Sequence, residues 1–207
     1  MPVSPCAPLS PNRTSNQLIV IEGLPGTPTR EVAREVATHL GAIAMSTPDE
    51  AIRDAQPTLD TLFGARSSAR ELTRLATLLH TAERIDDALI HGKRVVVSNY
   101  LASALWRCHL SRLPIHPTTL RHTIAAPSLT VALDMPVMLR TRRLLRSDDP
   151  EDHASLFYAA PQLDALRREL QHPFHGAVSW LHTADESPAQ LAAHILHLDH
   201  LHTARAS

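Results

Sequence analysis

The segment Ile19-Val20-Ile21-Glu22-Gly23-Leu24-Pro25-Gly26-Thr27-Pro28-Thr29-Arg30 has the layout of a loop that holds phosphate between a strand and a helix. An apolar strand, Leu18 to Ile21, runs into glycines, and Val32, Ala33, Val36, Ala37 and Leu40 follow at helical spacing. In such a loop successive backbone N–H groups curl around the phosphates, a lysine reaches their terminal oxygens, and the next Ser or Thr hydroxyl holds Mg²⁺. Where that pattern asks for Gly-Lys-Ser/Thr, this chain has Pro28, Thr29 and Arg30. Proline removes an N–H donor, threonine cannot replace an ammonium, and arginine cannot ligate magnesium. The layout is kept while the groups for phosphoryl transfer are missing. Gly23, Gly26, Thr27, Thr29 and Arg30 can still present a helix N-terminus to an anion. The plainer reading is a Gly/Pro turn, since proline is at home in a first helical turn.

Further along, Ala82-Glu83-Arg84 sits in a helical stretch that passes Gly92 and Lys93 into the apolar run Val95-Val96-Val97. That run ends on Ser98-Asn99-Tyr100-Leu101-Ala102-Ser103. Pro127-Ser128-Leu129-Thr130-Val131-Ala132-Leu133-Asp134 and Ala177 to Leu181 with Ser187-Pro188-Ala189-Gln190 complete the series. Taken in order with the loop, from about residue 17 to 203, these segments resemble the thymidylate kinases. The motifs of that family read roughly I-E-G-x-x-G-x-G-K-[ST]-T, A-D-R, D-R-Y-x-x-S and P-D-L-T-L-L-L-D-V.

The resemblance implies a P-loop α/β domain, ATP and Mg²⁺ as cofactors, and a nucleotide substrate. It implies that Arg84 approaches the substrate phosphate, where a planar fork holds two oxygens at once. From the residues alone, the alternative for Arg84 is a surface arginine paired with Glu83 or Asp87. His80 falls where the family has a phenylalanine against thymine, which puts thymine recognition in question. Tyr100 and Ser103 match D-R-Y-x-x-S, but neutral Ser98 and Asn99 stand in place of its aspartate and arginine. Cys108 occupies the place of a base-contacting glutamine; it reads as a nucleophile or, with no activating base nearby in sequence, as a buried structural thiol. Arg140, Arg142, Arg143 and Arg146 correspond to a mobile lid, with Arg143 and Arg146 the best matches. The acidic run Asp148 to Asp152 offers a simpler role for them as solvated ion pairs.

The elements that must position these groups are legible as alternation. Strands are expected near 17 to 22, 42 to 45, 94 to 98, 128 to 133 and 177 to 182, with helices between them. That pattern predicts a three-layer α/β domain with a five-stranded parallel sheet flanked by helices. Leu72, Leu75, Leu78, Leu79, Ile85 and Leu89 predict a long helix from Ser67 to His91, which the resemblance makes a homodimer face. Residues 1–16, with four prolines, read as a tail before a single domain at 17–207.

A net charge of −1 gives no global field toward nucleic acid or a membrane surface, so any anion site must be local. No stretch reaches transmembrane length or forms a signal peptide, and two cysteines make no disulfide framework, so a reduced, cytoplasmic setting is expected. His194, His197, His200 and His202 crowd one helix without a completing carboxylate or cysteine, so no metal site is expected. Three functions fit: a repurposed enzyme acting on a phosphorylated or nucleotide-like small molecule, a nucleoside monophosphate kinase using Arg30 or the lid arginines, and a non-catalytic scaffold.

Overall fold

Leu18 to Ile21 are buried to within 1% of full enclosure, as a strand covered on both faces of a parallel sheet must be. The computed structural model describes residues 14–64, 67–110, 113, 115–146, 159–184 and 186–206. The chain runs β1 (Thr14–Gly23), α1 (Thr29–Leu40), β2 (Ile43–Ser46), α2 (Glu50–Asp54), α3 (Gln56–Phe63), α4 (Ser68–Ile90), β3 (Val95–Ser98) and α5 (Leu101–Leu110). It continues through α6 (Pro117–Thr123), β4 (Ala126–Asp134), α7 (Val137–Leu144), α8 (Ala159–Leu170), a 3₁₀ turn (Pro173–His175), β5 (Ala177–His182) and α9 (Pro188–Ala206).

The five strands lie parallel in the order β2-β3-β1-β4-β5. Ile21 pairs with Ser98 on one side and Val131 on the other. The expected strands and the long helix are all present. β1 begins at Thr14, and Thr14 and Ser15 pair with Ala126 and Pro127 of β4; residues 1–13 lie outside the described residues.

One face is covered by α1 and α9, where Val32, Val36, Leu191 and Ile195 meet Ile19 and Ile21. On the other, Leu75, Leu78 and Ile85 of α4 and Leu101 and Leu105 of α5 close over Leu18, Val20, Val95 and Val97. Alternate residues of one strand therefore feed two cores. α8 lies against α5, with Leu166 packed beside Trp106.

The chain leaves β1 toward β2 and later crosses over β1 to reach β4. Strand order thus reverses beside β1, and the crevice outside the strand C-termini at such a point is where open α/β sheets take ligands.

Candidate functional site

The loop after β1 is folded in upon itself. The Thr27 N–H and hydroxyl both donate to the Leu24 carbonyl, at 3.0 and 2.7 Å, and the Thr29 N–H donates to the Thr27 carbonyl at 2.9 Å. Pro25 and Pro28 carry no N–H. Of residues 24 to 29, only Leu24 and Gly26 therefore keep a backbone donor that neither these turn bonds nor a proline ring removes. A Cβ on Gly23 would run into the Thr27 hydroxyl and lie 2.7 Å from Thr29 Cγ2. The threonine side chains thus crowd the hollow of the loop, and Thr29 is 4% exposed. Gly26 has φ +87°, and a Cβ there would sit 2.8 Å from the Arg140 carbonyl. Only glycine lets α7 close this tightly on the loop.

At the end of β3, Ser98 is fully buried, and its hydroxyl finds no hydrogen-bond partner among the described residues. Asn99 takes φ +57°, a left-handed geometry that asparagine tolerates better than most residues. Beneath it lies Glu22, wholly buried, one of whose oxygens accepts the N–H groups of Tyr100 at 3.0 Å and Ala102 at 3.2 Å. Its other oxygen takes a short hydrogen bond from the Ser103 hydroxyl. The carboxyl of β1 thus satisfies the open N–H groups at the start of α5. Burial pushes its pKa above the ordinary carboxylate value, opposed by the Ser103 hydrogen bond, by His175 and by the backbone donors.

Above these groups is a cavity of about 620 Å³. Its wall combines Gly23 to Thr27 and Thr29 to Glu31, Thr47 and Pro48 after β2, and Asn99 to Arg107 in part, with Arg53, Arg74 and Thr77 from α2 and α4. Arg143 and Arg146 close it from α7 and the turn that follows. Among the described residues six arginines line it, Arg30, Arg53, Arg74, Arg107, Arg143 and Arg146, against a single carboxylate, Glu31. Arg53 pairs loosely with Glu50 at 3.5 Å and Arg143 with Glu31 at 3.3 Å, while Arg74 is held closely by Glu71. The Arg107 guanidinium lies 4.9 Å over the Trp106 ring. Arg30 Nε, Arg53 Nε, Thr47 Oγ1 and Trp106 Nε1 are buried with no hydrogen-bond partner among the described residues. Such groups cost free energy unless something supplies the missing acceptor.

Of the residues singled out in the sequence, Gly23, Gly26, Thr27, Thr29, Arg30, Tyr100, Ser103, Arg143 and Arg146 lie on this wall. The arginines of the 140 to 146 cluster split: Arg140 is buried, with Nε donating to the Met135 carbonyl at 3.2 Å, and Arg142 is exposed. His80, Arg84 and Cys108 are not in the wall. His80 is exposed with Glu83 at 3.9 Å, and Arg84 is half exposed with Asp49 at 3.5 Å. Cys108 is buried in the α4–α5 core, and burial, followed by Glu71, pushes its thiol up to about 11, so little thiolate exists near neutrality. Arg53, Arg74, Thr77, Trp106 and Arg107 were not singled out. The available signal was polar spacing: Arg74 and Thr77 fall one turn apart on a helix whose core face is Leu75, Leu78, Ala82 and Ile85.

Among the described residues no group of three or more His, Cys, Asp or Glu is placed to hold a metal ion, and no helix is long and apolar enough to cross a membrane. No family model and no curated protein matches the chain. Solved structures do. A thymidylate kinase from Candida albicans is similar with a TM-score of 0.70 at 15% identity, over 91% of this chain and 93% of that one. A thymidylate kinase from Ehrlichia chaffeensis is similar at 0.57 and 13%, over 88% and 97%. A shikimate kinase from Acinetobacter baumannii, solved with shikimate, is similar at 0.54 and 20%, over 92% and 93%. The fold is thus thymidylate kinase-like, that of the P-loop kinases, as the order of motifs implied.

Proposed function

We propose that this protein binds a phosphorylated or nucleotide-like small molecule in the arginine-lined cavity and acts on it without Mg·ATP phosphoryl transfer. The observation that carries this reading is the charge of the wall, six arginines to one carboxylate among the described residues. Arginine forks make bidentate, charge-assisted bonds to phosphate oxygens. The phosphate-holding role has moved from loop N–H groups, most of which are used up or absent, to side chains. Magnesium does not suit this wall. It demands octahedral oxygen ligands, and Glu31, the one carboxylate of the wall among the described residues, faces Arg143.

A thermal-shift panel of nucleoside mono-, di- and triphosphates and other phosphorylated metabolites, with and without Mg²⁺, tests the reading by linkage. Phosphorylated members are expected to raise the melting temperature without Mg²⁺, and their dephosphorylated counterparts to leave it unchanged. Arg30→Ala is expected to weaken the strongest hit by about 1.5 to 3 kcal/mol, the range for a hydrogen bond to a charged group. The unliganded protein should melt near the wild-type temperature, since Arg30 Nε has no hydrogen-bond partner among the described residues to lose. Undiminished binding by this variant would remove Arg30 from the site.

A second reading, phosphoryl transfer with Arg30 in the lysine's role, draws on the placement of Arg30 in the wall with Nε unpartnered. It requires ATP turnover that depends on Mg²⁺ and is lost in Arg30→Ala.

The protein is further proposed to be a homodimer through the α3–α4 face, where Leu62, Phe63 and Leu72 are exposed. Apolar exposure of this kind, gathered on neighbouring helices, suits a self-complementary interface. Phe63→Glu with Leu72→Glu is expected to halve the mass seen by sedimentation equilibrium; a wild-type monomer at micromolar concentration sinks the proposal.

A further inference from the structure

Three hydroxyls of the cavity wall have a fixed sense. The Thr27 hydroxyl donates to the Leu24 carbonyl at 2.7 Å, and the Thr77 hydroxyl to the Arg74 carbonyl at 2.8 Å. A carbonyl oxygen can only accept, so both hydrogens are committed to the protein and each hydroxyl keeps acceptor lone pairs. The Ser103 hydroxyl is spent in the same sense on Glu22. These side chains line the cavity from three separate elements, the loop after β1, α4 and α5. Toward a ligand they are acceptors, and they call for donors.

A fully ionised phosphate has no hydrogen to give, so arginines and hydroxyls must answer different parts of one molecule. The donors a small molecule can bring are an ammonium, the N–H groups of a base, or hydroxyls. Six arginines against one carboxylate among the described residues repel an ammonium. A base carries its donors in one plane and gains from stacking, but the aromatic side chains of the described wall are covered: Tyr100 is 1% exposed and Trp106 4%, with Arg107 over its ring. Hydroxyls spread over a carbon chain or ring suit acceptors that stand on three elements, and a cavity of about 620 Å³ holds such a molecule.

We infer that the ligand is a phosphorylated polyhydroxy molecule, a sugar or polyol phosphate, and that Thr27, Thr77 and Ser103 select it by accepting hydrogen bonds from its hydroxyls. This rests on the anion-binding reading above and narrows it. The arginines take the phosphate whatever carries it; the three hydroxyl oxygens decide what the phosphate is attached to, since an analogue without hydroxyls leaves them without donors.

The test is calorimetric titration of the full-length protein with matched pairs of equal charge and carbon number: a pentose phosphate with pentyl phosphate, and a hexose phosphate and a hexitol phosphate with hexyl phosphate. Nucleoside monophosphates run in parallel. At least one polyhydroxy phosphate is expected to bind about tenfold or more tightly than its alkyl partner, as two or three added hydrogen bonds would give. Thr77→Val keeps the side chain's shape and removes the acceptor, so the ratio of the two affinities should fall toward one. Thr27→Val makes the same test from another element, and melting of the unliganded variants reports whether the fold is intact. If every alkyl phosphate binds as tightly as its polyhydroxy partner, or both valine variants keep the wild-type ratio, this inference falls and the anion-binding reading stands. The same follows if a nucleoside monophosphate binds more tightly than every sugar and polyol phosphate. If no phosphate of any kind binds, both fall.

Discussion

ATP-dependent phosphorylation of thymidine monophosphate by this protein is expected to be absent, or slower than the roughly 1 to 100 per second of ordinary kinases by a factor of about 10² to 10³ or more. The first reason is positional: Thr29 and Arg30 stand where a lysine and a magnesium-binding hydroxyl are required, and Thr29 is turned into the fold at 4% exposure. The second is that the loop spends its own donors, with Thr27 and Thr29 bonded back onto Leu24 and Thr27. The third lies across the cavity, where Ser98 and Asn99 carry no charge to hold a metal or a phosphate.

Preorganised donors act because they already point at the developing charge; donors engaged elsewhere must first be released. Combining Pro28→Gly, Thr29→Lys and Arg30→Thr restores the residue types but leaves the Thr27 turn and the neutral end of β3. The triple variant is therefore expected to remain slow in a coupled ADP-release assay. Turnover within the ordinary kinase range by wild type would overturn the whole expectation, and by the triple variant alone would overturn the part assigned to the Thr27 turn, Ser98 and Asn99.

What was legible in the sequence, and what was not, follows from the range of the interactions involved. The runs Leu18 to Ile21 and Val95 to Val97 announce buried parallel strands because enclosure on both faces leaves no polar alternation. The loop was legible because its chemistry is local, a matter of which residue follows which. The far wall of the cavity was not. Ala82-Glu83-Arg84 matches a motif by local order, yet Arg84 lies ten residues after Arg74 on one helix, about 15 Å further along the axis. Which turn of α4 faces the cavity depends on how the helix is seated on the sheet, which motif spelling does not record. Arg53 and Arg107 reach the cavity from α2 and α5 only because β2 and β3 are neighbours. Glu22 was legible as a letter of the first motif but not in its role, since the N–H groups it satisfies, Tyr100 and Ala102, are 78 and 80 residues away.

That role makes Glu22 the residue with the largest expected effect on stability. Glu22→Ala leaves two buried N–H groups and the Ser103 hydroxyl without their acceptor, and is expected to cost about 2 to 4 kcal/mol in urea denaturation, given about 1 to 3 per orphaned group and incomplete additivity. The start of α5 should loosen with it, and with α5 the wall that carries Trp106 and Arg107. Glu22→Gln is expected to behave differently. Its amide oxygen can accept both N–H groups, and the Ser103 hydroxyl can rotate to accept from the amide NH₂.

The pH dependence separates a structural carboxyl from an incidental one. Because burial raises the folded pKa of Glu22 above its ordinary value of 4.5, the folded state holds this proton more tightly than the unfolded chain does. Its contribution is therefore fully present below about 4.5 and is lost as pH rises through the folded pKa. Glutamine has no proton to lose, so the stability of Glu22→Gln relative to wild type should rise across that interval and then level off. Parallel stability–pH curves for wild type and Glu22→Gln from acid to neutral pH would mean that the carboxyl does not titrate differently in the folded state. The hydrogen bonds to α5 and Ser103 would then have to balance its burial.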